Sequence, residues 1–472
     1  MGRKSEQLQL QIQGLKSELR AMRSFEAGKL GRRTDSWLTY SRGPNTDLKF
    51  DLLRIMARSQ DLVDSDPWAY KASCVVTNNW VGDGIVGAPI GATKKFSDSW
   101  REWAEGTDCD WYGQHNFYGL QALVARTVAV RGSCLIRRRI YEGNVAKGLN
   151  PLQLQVLEPD YLDWSKDDGA WIRFGKEYDP ETGKLKGYWI RRSHPGEYNW
   201  AQVSVILSDF VPADEVCHVY DVRRPNQATG VPWGVAAILK LRDVSDRDAA
   251  QLMKDKLAAC FMAFVTDADS DGNPAGPLLD TLEPGTIEQL PPGKGITFAE
   301  PPTAGDYVQT QKFHLLSIAQ AYEITYEALT GDLSQVNFSS GRMGWMEMRR
   351  AVARWRWGIM IPQFLNPVAR WFSDAAAVIG TGRVKSRFEW TPPVTWLVDP
   401  AREIPAYIDA VRAGFMTLSE IQRMLGYVPE VVIQELGQDL DAARKAGLKL
   451  STDLAENPQD IAAPVATGVS IT

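Results

Sequence analysis

Histidine is nearly missing from the chain: His115, His194, His218 and His314 are its four, each alone in sequence. That scarcity removes the commonest general acid–base residue and leaves no histidine-rich set for a transition metal. Cysteine is almost as sparse. Cys74, Cys109, Cys134, Cys217 and Cys260 are odd in number, widely spaced and contain no Cys-x-x-Cys. This predicts reduced core thiols and excludes a disulfide framework or a zinc ribbon. A basic excess is also lacking, since 53 Lys+Arg stand against 58 Asp+Glu, for a formal charge of -5 and a pI near 5.6. Such a surface does not clamp nucleic acid or an anionic membrane as a whole, so any DNA contact must be local or weak. No window approaches the unbroken apolar run of a membrane helix, and Met-Gly-Arg-Lys opens no signal-peptide stretch. Synthesis in a cytosol and no membrane partner are expected.

The catalytic signatures are lacking too. Gly82-Asp83-Gly84-Ile85-Val86-Gly87 matches a dinucleotide fingerprint as a string, but Ala88-Pro89-Ile90-Gly91 follows and no helix can start there to hold a pyrophosphate. A turn between a helix and a strand is expected instead. Gly293-Lys294-Gly295 lacks the upstream glycine and the hydroxyl of a P-loop, and no zinc-hydrolase or serine-hydrolase motif occurs. His218, inside an apolar run, reads as a satisfied structural histidine. Asp267-Ala-Asp-Ser-Asp-Gly272 starts like a calcium loop, but Asn273-Pro274 breaks it into a solvated turn. Asn337-Phe338-Ser339 is a glycosylation sequon by string only. No catalytic residue, metal or cofactor is expected.

What the chain does have is tryptophan, 17 in 472 residues, within a 44% hydrophobic composition long enough for two or three packed domains. The tryptophans suit a dense core or wide subunit interfaces, and the sequence does not choose. Leu8, Ile12, Leu15, Leu19 and Met22 mark a short heptad helix over 1–24, followed by a Gly/Ser/Arg-rich linker. From Thr46 to Val81 the pattern is helical, with Asp66-Pro67 restarting a helix, and Phe96–Ala104 and Phe117–Arg131 are helical as well. Ser133–Glu142, Leu152–Leu157, Trp171–Phe174, Lys186–Arg192 and Glu215–Tyr220 read as antiparallel strands. Trp233–Met262 is a long helix, Asp267–Tyr307 a Gly/Pro-dense β-rich insert, and Gln309–Ala328 a returning helix. Thr330–Gly341 reads as a polar loop. Met343–Ile379 is helix again, bent at Pro362 and Pro367. A strand at Phe388–Thr391, a helix Pro405–Ala413, a capping box Thr417/Glu420, a helix Pro429–Ala446 and a disordered tail complete the chain. In the long helix Arg342, Arg349 and Arg356 repeat every seven residues beside an apolar stripe of Trp345, Met348, Val352, Trp355 and Ile359. Those arginines pair with neighbours in the chain, or meet phosphates or another subunit's carboxylates.

Several ordered stretches together resemble the portal proteins of lambda-type tailed bacteriophages. They are Leu53-Arg-Ile-Met-Ala-Arg-Ser-Gln-Asp-Leu62, Asp66-Pro-Trp-Ala69, Asn79-Trp-Val-Gly-Asp-Gly-Ile85, Leu154-Gln-Val-Leu-Glu-Pro-Asp160, Val211-Pro-Ala-Asp-Glu-Val-Cys-His218 and Gly230-Val-Pro-Trp233. The last are Tyr326-Glu-Ala-Leu-Thr-Gly-Asp-Leu-Ser334 and Asn337-Phe-Ser-Ser-Gly-Arg342. The resemblance covers about residues 46–430. It implies an α+β portal fold assembled as a homo-oligomeric ring, usually of twelve subunits, at one capsid vertex of the virion, after assembly in the host cytoplasm. Its channel passes double-stranded DNA non-specifically during packaging and ejection. It also implies no enzymatic activity, a role in nucleating procapsid assembly, and contacts with terminase, major capsid and scaffolding proteins, and head-completion or tail adaptor proteins.

By the resemblance, 46–233 is wing, 234–262 and 309–329 are stem helices, 263–308 clip, 330–341 tunnel loop, 342–399 a long kinked helix with a return strand, and 400–450 crown. Residues 1–45 and 451–472 flank that set. The tunnel-loop residues Asp332, Ser334, Gln335, Asn337, Ser339 and Ser340 are then expected at the DNA channel. Lys240, Arg242, Lys254 and Lys256 of the stem, with Arg342, Arg349 and Arg356, are candidates for channel or inter-subunit contacts. A conduit for a polyanion should touch it weakly, and both segments are nearly neutral mixtures or uncharged polar chain. Two rivals predict different chemistry: a metal-dependent hydrolase using Asp160, Asp163 and Asp267, and a monomeric DNA-binding protein using the Arg342/Arg349/Arg356 face.

Overall fold

The computed structural model describes residues 41–197, 207–259, 263–267, 294–298, 307–381, 387–394 and 399–448. The expected heptad helix, the tail and most of the 263–308 insert lie outside the described residues, as does Cys260. The chain divides into two units, Met1–Phe50 and Asp51–Thr472. The first holds one described helix, α1 (Pro44–Lys49).

The second unit opens with α2 (Leu52–Ser65), whose buried Leu52, Met56, Ser59 and Val63 recur at spacings of three and four. Asp66 turns extended and caps α3 (Pro67–Trp80), its Oδ1 accepting from the Trp68 and Ala69 amides at 2.9 Å each. Pro67 fits the first helical position because no hydrogen bond is lost there. After α3 the chain turns through Gly84, at φ +121°, where a Cβ would lie 2.5 Å from the Tyr118 ring. Strand β1 (Val86–Pro89) follows. The glycines thus serve a tight turn and a close approach, and the dinucleotide string has no helix to act through.

Next come α4 (Lys94–Glu105), α5 (Phe117–Arg131), β2 (Ser133–Ile140), α6 (Glu142–Ala146), β3 (Leu152–Leu157), β4 (Ile172–Arg173), β5 (Lys176–Tyr178), β6 (Leu185–Arg191), β7 (Ser208–Pro212) and β8 (Val216–Tyr220). Strand β2 is central to an antiparallel sheet ordered β3-β2-β8, and β4 to β7 form a four-stranded antiparallel meander. The strand expected from Ser133 to Glu142 ends two residues early, and that from Trp171 to Phe174 shrinks to two residues. Asn144, buried in α6, donates to the Asn150 carbonyl and ties down the turn that replaces the strand end.

A 3-10 turn at Trp233–Ala236 leads into α7 (Ile238–Ala259). Strands β9 (Ala263–Asp267) and β10 (Lys294–Phe298) pair antiparallel within the insert, and α8 (Tyr307–Ala321) returns beside α7. Then come α9 (Tyr326–Thr330) and α10 (Phe338–Arg354), which runs without a break into a π-helix (Trp355–Leu365) and α11 (Asn366–Val378). Pro362 lies inside the π-helix and Pro367 in the first turn of α11, so the helical path accommodates both prolines. Strand β11 (Phe388–Thr391) pairs with β1, and α12 (Pro400–Arg412), α13 (Leu418–Met424) and α14 (Pro429–Lys445) close the described chain. Helix α12 starts five residues before the expected Pro405. Thr417 Oγ1 accepts from the Glu420 amide at 3.1 Å, the expected cap of α13.

The core holds most of the described tryptophans. Trp80, Trp233 and Trp355 meet at centroid distances of 5.2, 6.2 and 5.4 Å, joining α3, the 3-10 turn and the π-helix. Trp100 and Trp103 pack with Phe117, Phe372 and Phe388 in a second cluster. Their indole N–H groups donate to the Gly87 and Leu152 carbonyls at 2.8 Å. Such partners let tryptophan be buried without stranding a donor. Cys109, Cys134 and Cys217 are buried free thiols, and burial raises all three pKa values.

His218 departs from expectation. It is buried between Tyr188 and Tyr220, and neither ring nitrogen has a hydrogen-bond partner among the described residues. Burial and the neighbouring Lys176 depress its pKa well below the usual range, so the ring is neutral. Lys176 is itself only 4% exposed, donates to the Ala228 carbonyl at 2.7 Å, and faces the same two tyrosine rings. Burial lowers its pKa to about 7. Folding therefore disfavours the ammonium: the cost is full below about pH 7 and is relieved as pH rises toward the ordinary lysine value near 10.5. Stability should climb with pH in that window by at most about 1.4 kcal/mol per unit. Lys176→Met should flatten the climb, as read from denaturant unfolding at pH 7 and pH 9; an unchanged slope would refute this assignment.

Candidate functional site

The expected tunnel loop is shorter than the sequence suggests. Helix α9 is opened by Thr325, whose Oγ1 accepts from the Ala328 amide, and closes at Gly331 in the left-handed region, φ +74°. The loop is 331–337, because α10 begins at Phe338 and not beyond Gly341. Asn337 Oδ1 accepts from the Ser340 amide at 2.8 Å and Ser340 Oγ accepts from the Asn337 amide at 3.1 Å, a reciprocal cap that starts the helix early. Gly341 lies in the helix, where a Cβ would sit 2.9 Å from Val336 Cγ1, so it serves close packing and not mobility. Asp332, Ser334 and Gln335 are therefore loop residues, Asn337 is the cap, and Ser339 and Ser340 are exposed in the first turn. Hydrogen bonds from the Ser334 side chain and amide hold the Asp332 carboxyl below the usual range. Leu333 projects at 67% exposure.

The three arginines spaced by seven have three different surroundings. Arg356 donates from Nε to the Trp80 carbonyl and from a terminal nitrogen to that of Asn79, both at 2.8 Å. These are carbonyls that the end of α3 leaves open, and a cation suits the negative end of that helix. Burial and the adjacent Arg349 lower its pKa to about 10. Arg342 reaches Glu403 of α12 at 3.8 Å. Among the described residues Arg349 has neither a hydrogen-bond nor an ion-pair partner, and it lines a groove of about 920 Å³ with Arg356, Trp345 and Trp357.

On α7, Arg242 pairs with Asp246 at 3.3 Å, Lys240 is half-buried and Lys256 is exposed. Lys254 is half-buried and has a partner. Asp248 joins α7 to α8 by accepting from Tyr307 Oη and Gln311 Nε2, while Arg247 lies over the Tyr307 ring at 5.0 Å. Acids and bases on this helix are thus partly paired along and between helices.

The carboxylates proposed for a metal are engaged separately. Asp160 binds Arg131, which also approaches Glu158 at 3.9 Å and donates to the Met56 carbonyl at 3.3 Å. Asp163 accepts from Ser165, Ser208 and Arg191. The side chain of Asp267 lies outside the described residues. Glu158, Asp160 and His194 bring ligand atoms within 4.8 Å of one another, but the Arg131 guanidinium already supplies the positive charge there.

The family model for the phage portal proteins of the lambda family matches residues 30–356. The chain belongs to this family. It is a portal protein, a structural component of the phage virion at the head–tail junction, through which DNA passes. A relative named "Probable portal protein", from Halomonas phage phiHAP-1, is 25% identical over 475 residues, spanning 90% of this chain and 88% of its own. Solved neck structures of a gene transfer agent are also similar. The neck of the empty particle, computed with C6 symmetry, has a TM-score of 0.47 at 15% identity, over 80% of this chain and 94% of the other. The neck of the native particle, computed with C12 symmetry, has a TM-score of 0.45 at 15% identity over the same shares.

Sequence reasoning missed the residues that anchor the portal's basic helix. Glu323 receives Arg354 at 2.7 Å and the Trp355 indole at 3.0 Å, and Asp221 receives Arg354 at 3.2 Å. Glu323 sits at φ +57°, in a turn that no local motif announces.

Proposed function

We propose that the portal is a ring of twelve copies in which the 331–337 loop lines the DNA channel. The observation that carries this reading is the loop itself: seven residues held between a left-handed cap and a reciprocal helix cap, offering Leu333, Ser334 and Gln335 with a single acid. Uncharged polar contacts slide past phosphates, whereas neutralising contacts hold them. On the same reading 46–233 is the wing, 234–262 and 309–329 the stem, 263–308 the clip and 400–450 the crown. The clip docks terminase and later the head-completion proteins, major capsid and scaffolding proteins meet the ring from outside, and the ATP-driven motor is the partner. The paired carboxylates favour this reading over the metal hydrolase. Occupied Arg342 and Arg356 favour it over a monomeric DNA clamp.

Replacing 331–336 by Gly/Ser, with the Asn337 cap kept, should leave rings intact and lower packaged DNA at least tenfold in a packaging assay. Normal packaging by that variant would remove the loop from the channel. Asn337→Ala is less informative, because losing the cap costs the helix about 1 kcal/mol by itself.

A further inference from the structure

We infer that the groove face of α10 and the π-helix is a socket for the outer face of α14 from a neighbouring copy of this chain. The inference rests on the ring reading above. A ring is closed by a head-to-tail contact, so each subunit must carry two different patches that complement one another. Here the first is basic and apolar. Next to the groove, Met346, Ala353 and Trp357 are outward residues at spacings of seven and four, with Met346 52% and Trp357 57% exposed. Arg349 flanks them without a partner, held near the like-charged Arg356. Methionine, tryptophan and arginine are the side chains enriched where proteins associate. A desolvated arginine beside another arginine favours a carboxylate between them.

The second patch has the opposite sign. Helix α14 buries Pro429 and Ala443 and turns Ile433 and Leu436 outward, at 59% and 39% exposure. Glu430 and Asp441 flank that stripe on one side, and neither has a partner among the described residues. Gly437 lies in the middle of the stripe, where a Cβ would meet nothing within 4 Å. Glycine inside a helix costs about 1 kcal/mol against alanine, and nothing within the chain requires it there. A second backbone approaching closely at that point accounts for it. Charge, apolar spacing and the glycine fit one occupant, an α10 socket on the next subunit.

The test reverses charge on each side. Arg349→Glu and the pair Glu430→Lys/Asp441→Lys should each lower the ring fraction at least tenfold in native mass spectrometry, with unchanged circular dichroism. All three together should restore rings. Met346→Glu, which touches no charge, should also weaken the ring. If the single-side variants assemble like the wild type, the socket is refuted while the ring reading stands. If both fail and the combination does not recover, the two patches serve different partners and the pairing is overturned. Intact rings with lost DNA passage in Arg349→Glu would assign the face to DNA. A wild-type chain that forms no ring would refute the ring reading itself.

Discussion

Trp355→Ala should lower stability by about 3–5 kcal/mol in denaturant unfolding, the cost of a large cavity in a core that cannot collapse around it. Trp355 is fully buried, meets Trp80 and Trp233, and donates its indole N–H to Glu323. Truncation would therefore open space where three segments distant in sequence meet, and remove a donor from a carboxylate that also holds Arg354. Trp355→Phe keeps most of the volume and loses the hydrogen bond, so about 1–2 kcal/mol is expected. Similar losses in the two variants would show that the hydrogen bond dominates. A loss below about 1 kcal/mol in Trp355→Ala would mean that the triad does not support the fold.

Arg131→Met should be equally damaging for an electrostatic reason. The guanidinium, with its side chain 11% exposed, stands between Asp160, Glu158 and the Met56 carbonyl, joining α5 to the turn after β3 and to α2. Removing one partner of such a network leaves carboxylates facing each other without a cation, a loss of about 3–5 kcal/mol. Removing the acids as well relieves that cost. The triple variant Arg131→Met/Glu158→Gln/Asp160→Leu should recover more than half of the loss in the same unfolding measurement. A triple variant as unstable as the single one would mean that Arg131 acts by packing alone.

The helices were legible wherever the backbone's needs are met by neighbours in sequence. Asp66 before Pro67 is such a case, as are Phe117–Arg131 ending at Gly132, and Thr417 three residues before Glu420. Strands β5 and β7 were not legible, because three and five residues with mixed polarity carry no period of their own and are held by pairing with β6. The same locality misled at Asn337. Its Asn-x-Ser-Ser surroundings have the composition of a loop, yet two side-chain bonds turn them into the start of a helix. The seven-residue spacing of the arginines correctly marked one face but not its partners. Arg356 finds its carbonyls 276 and 277 positions away, a distance over which sequence pattern says nothing.

The π-helix at Trp355–Leu365 sets how this chain can be compared with its relatives. A π turn is an α-helix carrying extra residue length, so dropping one residue there would tighten the coil and swing everything downstream about the helix axis. Phe364 and Phe372 would leave the core together, and the aromatic clusters would lose their common wall. Gaps of a single residue within 355–365 are thus not silent drift in an alignment. A relative lacking that residue must repack both clusters at once or place its own widened turn elsewhere along the same rod.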